Sequence, residues 1–218
     1  MGKSILTPAQ SHALELASKS KEIYERFFLT GGTVLAEFYL QHRYSEDLDF
    51  FSEEDFPIDV CDKFIKKLEI KYKANIKKRT RTGFYRYELV GKFGELKIDF
   101  VYHVFRQLEY GKRINNLRIA SLWDIIVDKL YTIFHRGTAR DFVDLYFGIR
   151  ELDCDLDQLI SALEEKYRAG FDRISLLSRL PIVKDLVDYP KMIVPFSKKN
   201  MENFFLKLVK KQEKKIFK

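Results

Sequence analysis

Residues 31–51, GGTVLAEFYLQHRYSEDLDFF, decide the interpretation of this chain because they combine a diglycine turn with two aspartates in an apolar run. Gly31 and Gly32 leave backbone N–H groups open to a phosphate. Asp47 and Asp49 alternate with apolar residues, and side chains two positions apart on a strand lie on the same side. The pattern predicts half of a site for a magnesium-bound nucleotide.

The residues around this turn predict a strand, a turn and a helix in that order. FFLT (27–30) is a short apolar strand, and TVLAEFYL (33–40) after the glycines has helical composition. This order directs unpaired N–H groups and the positive end of the helix dipole toward one point, which suits a phosphate. DLDFF (47–51) is the next predicted strand.

The remaining chain predicts mostly strands first and helices afterwards. Three strands at 74–81, 84–90 and 95–102 are separated by glycines, which is typical of an antiparallel meander, and a weaker strand covers 114–120. Helices are predicted at 8–26, 58–71, 121–134, 139–150, 155–169, 172–179 and 198–214. We therefore expect an α+β fold: a mixed-sheet catalytic core over 1–120 and a helical part over 121–218 packed on it.

Composition indicates a globular protein with a sizeable core, since 46% of the 218 residues are hydrophobic and 15% are aromatic. Cys61 and Cys154 are far apart and outside any CxxC spacing, which argues against a disulfide scaffold or a structural zinc site. No apolar run approaches the roughly 18–20 residues of a membrane span. We expect a cytoplasmic protein with no membrane segment.

The net charge of +7 is concentrated in two segments. Residues 71–87 hold seven Lys or Arg and no acid, and residues 197–218 hold eight Lys against Glu202 and Glu213. Clustered cations favour a polyanionic partner such as nucleic acid, because they release its condensed counterions. The alternative is a solvated face and a frayed tail, and the sequence leaves both open.

Asp99 supplies a third carboxylate, in ELKIDFVY (95–102), where it shares a strand face with Lys97. Three aspartates on two neighbouring strands would provide the oxygen ligands that a catalytic magnesium site requires. Their surroundings are strongly apolar, where an uncompensated carboxylate is costly unless a metal or a cation offsets it. The alternative is that they are ordinary strand residues on a solvated face.

Basic and acidic residues outside these strands are further candidates. Lys129 lies at the edge of the apolar stripe of 121–134, so it either extends to water or serves a buried anion such as a triphosphate. In 139–150, Asp141 or Asp144 could orient that lysine or the acceptor hydroxyl, although Asp144 could equally form a surface ion pair with Arg140. Before the aspartate pair, Arg43 is a candidate phosphate contact and His42 a structural loop residue.

The quoted stretch, with Thr30 before it, resembles the opening motif of the AbiEii/AbiGii toxin family, part of the DNA polymerase β-like nucleotidyltransferases. The resemblance continues through KIDFV (97–101), DIIVDKLYTI (124–133) and ARDFVDLYF (139–147), and covers about residues 27–150. It implies a small mixed sheet flanked by helices and followed by a helical C-terminal part. It also implies transfer of an NMP from an NTP to an acceptor hydroxyl, with Mg²⁺, or Mn²⁺ in its place.

The resemblance assigns a role to each candidate except Arg43. For Arg43, the residues themselves indicate a phosphate contact. By resemblance, the triphosphate is held by Gly31, Gly32 and Thr33. Asp47 and Asp49 bind metal, and Asp99 is a third ligand that helps activate the attacking hydroxyl. Lys129 contacts phosphates, and Asp141 is the late acidic position of the family. The glycine turn lies farther from the aspartate pair than in the wider superfamily. The turn is also Gly-Gly-Thr rather than Gly-Ser, which leaves the role of the Thr33 hydroxyl open.

The resemblance also bears on partners, because some family members are toxins that modify tRNA ends beside an antitoxin. It implies that segment 71–87, and with it the Lys-rich C-terminus, holds RNA phosphates, with aromatic side chains stacked on unpaired bases: Tyr72, Phe84, Tyr85 and Tyr87. Two alternatives remain. The acceptor could be a protein or small-molecule hydroxyl, or the chain could be a catalytically silent binding module, which three clustered carboxylates argue against.

Overall fold

The computed structural model describes residues 4–92 and 94–216, the last of them by its backbone only. The chain divides into two compact units, Met1–Ser121 and Leu122–Lys218. We call them the sheet unit and the helical unit, because all seven strands that the structure assigns in the described ranges lie in the first.

The sheet unit is built on one mixed sheet. Its strands are β1 (Phe28–Thr30), β2 (Asp47–Ser52), β3 (Asn75–Arg81), β4 (Phe84–Gly91), β5 (Gly94–Tyr102), β6 (Tyr110–Ile114) and β7 (Leu117–Ala120). Their order is β3-β4-β5-β2-β1-β7-β6. The pairs β2–β5 and β1–β7 are parallel and the other neighbours antiparallel. The predicted mixed sheet and the β3–β4–β5 meander are confirmed.

Helices of the sheet unit precede β1, follow it, and cover one face of the sheet. They are α1 (Pro8–Lys19), α2 (Lys21–Arg26), α3 (Gly31–Leu35), continued by a π-helical segment Ala36–Leu40, and α4 (Ile58–Tyr72). Phe64 of α4 packs on Phe50 and Phe100, with ring centroids 6.2 and 6.1 Å away. Burying each ring contributes about 1.5–3 kcal/mol. Strand alternation therefore leaves Asp47 and Asp49 of β2, with Lys97 and Asp99 of β5, on the opposite face, which we call the open face.

Two predicted elements differ from the structure. The single helix expected over 8–26 is two helices, because Ser20 has an extended backbone between them. The single strand expected over 114–120 is a hairpin, β6–β7, whose reversal includes Asn115 at φ +54°. Asparagine tolerates the left-handed region better than most residues, and two asparagines in this short run indicate a turn.

The helical unit contains the five predicted C-terminal helices, each within two residues of its expected ends. They are α5 (Leu122–His135), α6 (Ala139–Leu152), α7 (Leu156–Tyr167), α8 (Arg173–Arg179), continued by a 3₁₀ turn Leu180–Lys184, and α9 (Lys198–Ile216). Gly148 lets α6 approach α5, since a Cβ there would lie 2.0 Å from Cδ1 of Ile126. Within the described ranges, no helix is long and apolar enough to cross a membrane.

Candidate functional site

Strand register places the predicted carboxylates on one face of the sheet. Asp49 lies opposite Asp99 in the parallel β2–β5 pair, and Thr30 lies opposite Asp49 on β1. Arg86 of β4 lies opposite Asp99 on its other side. Paired residues on neighbouring strands point to the same face, so the four residues form one row across the open face. The row ends, at β1, where the chain enters the glycine turn.

Asp47 stands in the next row, opposite Lys97. Its Oδ1 is 3.9 Å from Nζ of Lys97, and this buried oxygen accepts no hydrogen bond from the residues that the structure describes. Burying a carboxylate oxygen without a donor or a cation is unfavourable. The oxygen is therefore suited to a bound cation, and the metal role of Asp47 stays a prediction.

The glycine turn is shaped around the first carboxylate row. Gly31 has φ +77°, and a Cβ on it would lie 2.1 Å from Oδ2 of Asp49. Only glycine adopts this conformation at this distance without strain. Thr33 donates a hydrogen bond from its hydroxyl to the backbone carbonyl of Asp47. The hydroxyl thus connects the turn to β2.

Arg43, the candidate phosphate contact, lies next to the turn. A Cβ on Gly32 would lie 2.4 Å from Nη2 of Arg43, and the other guanidinium nitrogen donates to the carbonyl of Tyr44 at 2.9 Å. The side chain is 2% exposed, and its neighbour His42 is fully buried. The guanidinium is therefore held in place by packing and is not a mobile surface group.

Asp99 is engaged differently from the metal ligand that the resemblance predicts. Nε of Arg86 donates to Oδ1 at 2.8 Å and Nη2 donates to Oδ2 at 2.6 Å, while Asp99 itself is 4% exposed. The hydrogen bonds to Asp99 raise the pKa of Arg86, and the charges of Asp99, Asp47 and Asp49 raise it further, against the opposing effect of burial. In the described part of the chain, no three acidic, His or Cys side chains are grouped so as to hold a metal ion.

Sequence reasoning missed the role of Arg86, which it counted only as one charge of segment 71–87. The available signal was strand alternation, because Arg86 alternates with Tyr87 of the helix-covered face. Alternation alone places Arg86 on the open face, but its pairing with Asp99 requires the register of β4 on β5.

Lys129, Asp141 and Asp144 form a cluster within the helical unit. Nζ of Lys129 is 2.9 Å from Oδ1 of Asp141 and 2.8 Å from Oδ2 of Asp144, which is fully buried. Lys129 therefore serves buried anions, and Asp144 is not the surface residue of an i,i+4 pair. Burial raises the pKa of Asp141, but the charge of Lys129 and hydrogen bonds from Thr138 outweigh it and leave that pKa below its usual value.

The basic segment 71–87 is only partly available for binding. Lys78 pairs with Asp62 of α4, and Arg79 pairs with Glu88 at 3.5 Å. Two of the predicted base-stacking side chains are buried: Tyr72 is 4% and Tyr87 1% exposed. That part of the prediction is wrong, because Tyr72 belongs to the covered side of α4 and Tyr87 shares its face with Leu89.

The Lys-rich C-terminus is a helix, α9, up to the last described residue. One face of it is in the core of the helical unit, where Phe205 packs on Phe142 at 5.1 Å between centroids. Its lysines lie on the remaining faces, and Lys215 pairs with Asp157. Residues 217–218, which include the last lysine of the segment, lie outside the described residues.

Comparison with known proteins gives a family and a relative that each match most of the chain. The family described as Nucleotidyl transferase AbiEii toxin, Type IV TA system, matches residues 18–215. The uncharacterized protein aq_aa25 of Aquifex aeolicus (strain VF5) is 30% identical over 209 residues, which cover 91% of this chain and 97% of that protein.

Two solved structures share the fold. A crystal structure of a proposed nucleotidyltransferase from H. pylori covers 97% of this chain and 99% of its own, with 22% identity and a TM-score of 0.59. The crystal structure of JHP933 from Helicobacter pylori covers 94% of each chain, with 21% identity and a TM-score of 0.51. The predicted α+β nucleotidyltransferase fold is confirmed. Because the family match spans most of the sequence, the chain belongs to the AbiEii nucleotidyl transferase toxin family and is a transferase.

Proposed function

We propose that this chain moves an NMP from a magnesium-bound NTP to an acceptor hydroxyl on RNA, with a tRNA 3′ end as the acceptor that the family resemblance favours. One observation carries the proposal. Asp47 and Asp49 stand on the open face of β2 against the glycine turn, and a buried oxygen of Asp47 accepts no hydrogen bond within the described residues. A carboxylate pair beside an open backbone turn is what a metal–triphosphate complex requires.

Different residues of the sheet unit would bind the phosphates and the metal ion. Gly31 and Gly32 offer backbone N–H groups to the phosphates, and Arg43 adds a fixed positive charge beside them. Asp47 and Asp49 would hold the magnesium ion. Bound Mg²⁺ would supply positive charge to neutralise the triphosphate and the charge that develops during phosphoryl transfer. Thr33 keeps the turn in register with β2 through its hydrogen bond to Asp47.

For Lys129 and Asp141 the proposal rests on the family resemblance, which assigns Lys129 to the phosphates and Asp141 to a late acidic position. In their own cluster, Asp141 and Asp144 hold the ammonium of Lys129 from two sides, at 2.9 and 2.8 Å. The two carboxylates outnumber the one ammonium, so Lys129 would have to leave one of them to bind a phosphate.

RNA is the proposed acceptor because the open face of the sheet changes from acidic to basic along the strand order. Arg79 of β3 lies opposite Arg86, so Lys77 and Arg81, two positions away on either side, lie on the same face as the carboxylates. Both side chains are exposed. A nucleic acid lying across β3 and β4 would thus find cations on the face that carries Asp49 and Asp99.

A second acceptor class is favoured by one observation: burial of Tyr72 and Tyr87 removes half of the predicted stacking side chains. Nucleotidylation of a protein or small-molecule hydroxyl needs no stacking surface. An antitoxin encoded beside this chain is also part of the proposal, on the strength of the family description. Inspecting the neighbouring reading frame would test that part.

The test incubates the purified chain with Mg²⁺, each labelled NTP in turn, and total tRNA. Asp49→Ala is the inactive control and Asp59→Asn, an exposed aspartate of α4, the matched active one. Label on RNA that Asp49→Ala abolishes supports the proposal. Label on protein instead supports the second acceptor class. Label on no acceptor, with NTP binding retained, would identify a silent binding module.

The RNA contact has its own test in the double variant Lys77→Gln/Arg81→Gln. We expect weaker RNA binding and a salt dependence reduced by about two charges, because two phosphate contacts are lost. Lys19→Gln/Lys21→Gln removes two exposed charges from the first helices and is the matched control. Equal loss in both variants would mean that the charge acts at long range and not as an RNA contact.

A further inference from the structure

Asp99 and Arg86 form a salt bridge that strand register builds into the site. The two residues lie directly opposite each other in the antiparallel β4–β5 pair, and the guanidinium uses two nitrogens on two carboxylate oxygens, at 2.8 and 2.6 Å. Paired forks of this kind are the strongest and most directional of the charged hydrogen bonds. Asp99 is almost fully buried, whereas Arg86 keeps a third of its side chain exposed.

Each oxygen of Asp99 accepts one hydrogen bond from Arg86, which uses one of its lone pairs. A metal ion bound through the remaining lone pairs would lie against the guanidinium, which has the same sign of charge. Moving the guanidinium away would separate a buried carboxylate from its cation, which is strongly unfavourable because the uncompensated charges stay desolvated. Asp99 is therefore a poor metal ligand as long as Arg86 holds it.

The charges of the open face lead to the same conclusion. Asp47, Asp49 and Asp99 carry three negative charges and Arg86 one positive charge, so these four residues sum to −2, the complement of one divalent ion. Lys97, 3.9 Å from Asp47, adds one positive charge, and Glu46, 4.0 Å from the same ammonium, offsets it. Two divalent ions would exceed the charge that the protein offers at this face.

We propose that Arg86 is a fixed protein cation in the place of a second metal ion, so that the protein itself binds one divalent ion, at Asp47 and Asp49, and Asp99 is a positioning residue for Arg86. This inference rests on the proposed function, because it concerns the same site. It assigns Arg86 to the charge balance of the site rather than to the basic surface of segment 71–87.

The experiment titrates Mn²⁺ into the chain without nucleotide and follows free Mn²⁺ by electron paramagnetic resonance. Omitting nucleotide ensures that every bound ion is held by protein. We expect one Mn²⁺ per wild-type chain. Arg86→Gln should bind a second ion, or the first about tenfold more tightly, because a repelling charge is gone and Asp99 is freed. Arg79→Gln, the neighbouring arginine of the same face, should bind as wild type does.

The double variant Arg86→Gln/Asp99→Asn keeps the charge of the pair and replaces the salt bridge by two amides. We expect it to bind one Mn²⁺ with an affinity within about threefold of wild type, since Asp99 is not a ligand and the net charge of the face is unchanged. If Arg86→Gln does not fold, the double variant is sufficient to test the inference. The double variant should fold, because it leaves no unpaired buried carboxylate.

The inference is overturned if the double variant loses the Mn²⁺ that wild type binds, because Asp99 would then be a ligand. It is also overturned if Arg86→Gln binds Mn²⁺ as wild type does. If wild type transfers labelled nucleotide while either result is found, only the inference fails. If wild type binds no Mn²⁺ and transfers no label, the proposed function fails together with it.

Discussion

Gly31 and Asp49 approach each other so closely that a Cβ atom on residue 31 would lie 2.1 Å from Oδ2 of the carboxylate. The glycine has φ +77°, where other residues are strained. The diglycine motif thus has a structural role besides the proposed binding of phosphate by its N–H groups. It creates the space in which the second aspartate of the Asp-x-Asp pair can face the turn.

Gly31→Ala should therefore damage metal binding before it damages the fold. The added methyl displaces the carboxylate of Asp49 and costs about 1–2 kcal/mol of backbone strain. We expect Mn²⁺ affinity to fall about tenfold, and nucleotide transfer by on the order of 100-fold, because displacing a reacting group by about 1 Å has that effect. Mn²⁺ titration and the labelled-NTP assay measure the two losses.

Gly94→Ala is the matched control, since Gly94 has φ +95° and a methyl there would meet none of the described atoms within 4 Å. It shares the backbone strain without the steric conflict, so it should lose stability but retain Mn²⁺ affinity. If Gly31→Ala binds Mn²⁺ as tightly as Gly94→Ala does, Asp49 does not hold the ion.

Gly32→Ala should separate phosphate binding from metal binding. A Cβ on Gly32 would lie 2.4 Å from Nη2 of Arg43, and the buried guanidinium has little room to move. We expect NTP affinity to fall about tenfold, the effect of losing one charge-assisted contact, while Mn²⁺ affinity without nucleotide stays near wild type. Titration with a fluorescent NTP analogue measures the first and electron paramagnetic resonance the second. Unchanged NTP affinity would remove Arg43 from the phosphate site.

The charge of Asp141 in the Lys129 cluster makes the free energy of unfolding of the helical unit depend on pH. Asp141→Asn should abolish this contribution. The folded pKa of Asp141 is lowered, so its stabilising effect is fully present above the unfolded value near 3.9 and is lost as pH falls through the folded pKa. At pH 7 the variant should unfold with a free energy about 1–3 kcal/mol smaller, because hydrogen bonds to a buried charge are lost.

Urea unfolding of Asp141→Asn and wild type at pH 7 and at pH 3 tests this sign. The difference between the two proteins should shrink at pH 3, which lies below the unfolded pKa of the carboxyl, because the unfolded wild-type chain then binds a proton more readily than the folded one. Asp188→Asn, on the surface of the same unit, is the control and should show no such convergence. A difference that is constant from pH 7 to pH 3 would mean that Asp141 acts through packing and not through its charge.

The carboxylate face could be predicted in part from local sequence. Alternation in residues 47–51 places Asp47 and Asp49 together, and the structure shows both half-buried beside fully buried Leu48 and Phe50. What local sequence does not contain is the parallel pairing of β2 with β5, since α4, β3 and β4 all lie between these two strands along the chain. Only that pairing brings Asp99 to the same row.

Which cations of segment 71–87 form ion pairs within the protein could not be predicted from composition, for a related reason. Charge counting treats Lys78, Arg79 and Arg86 as equivalent, yet each pairs with a different carboxylate once β3, β4, β5 and α4 are assembled. These partners come from three separate elements. The number of cations in a segment therefore gives the charge of that segment. The tertiary structure decides how many of these cations are paired within the protein and how many are available to a partner.

The contact of Gly148 with Ile126 gives the last prediction, on how the helical unit holds together. A methyl on residue 148 would lie 2.0 Å from Cδ1 of Ile126, so Gly148→Ala should push α6 from α5 and cost about 1–3 kcal/mol of unfolding free energy. Ile126→Val removes that Cδ1 and alone costs about 0.5–1.5 kcal/mol. Together the two should cost less than their sum, because each relieves the other. Urea unfolding of the four proteins measures this coupling, Gly170→Ala in open space serves as control, and strict additivity would show that the helices adjust without strain.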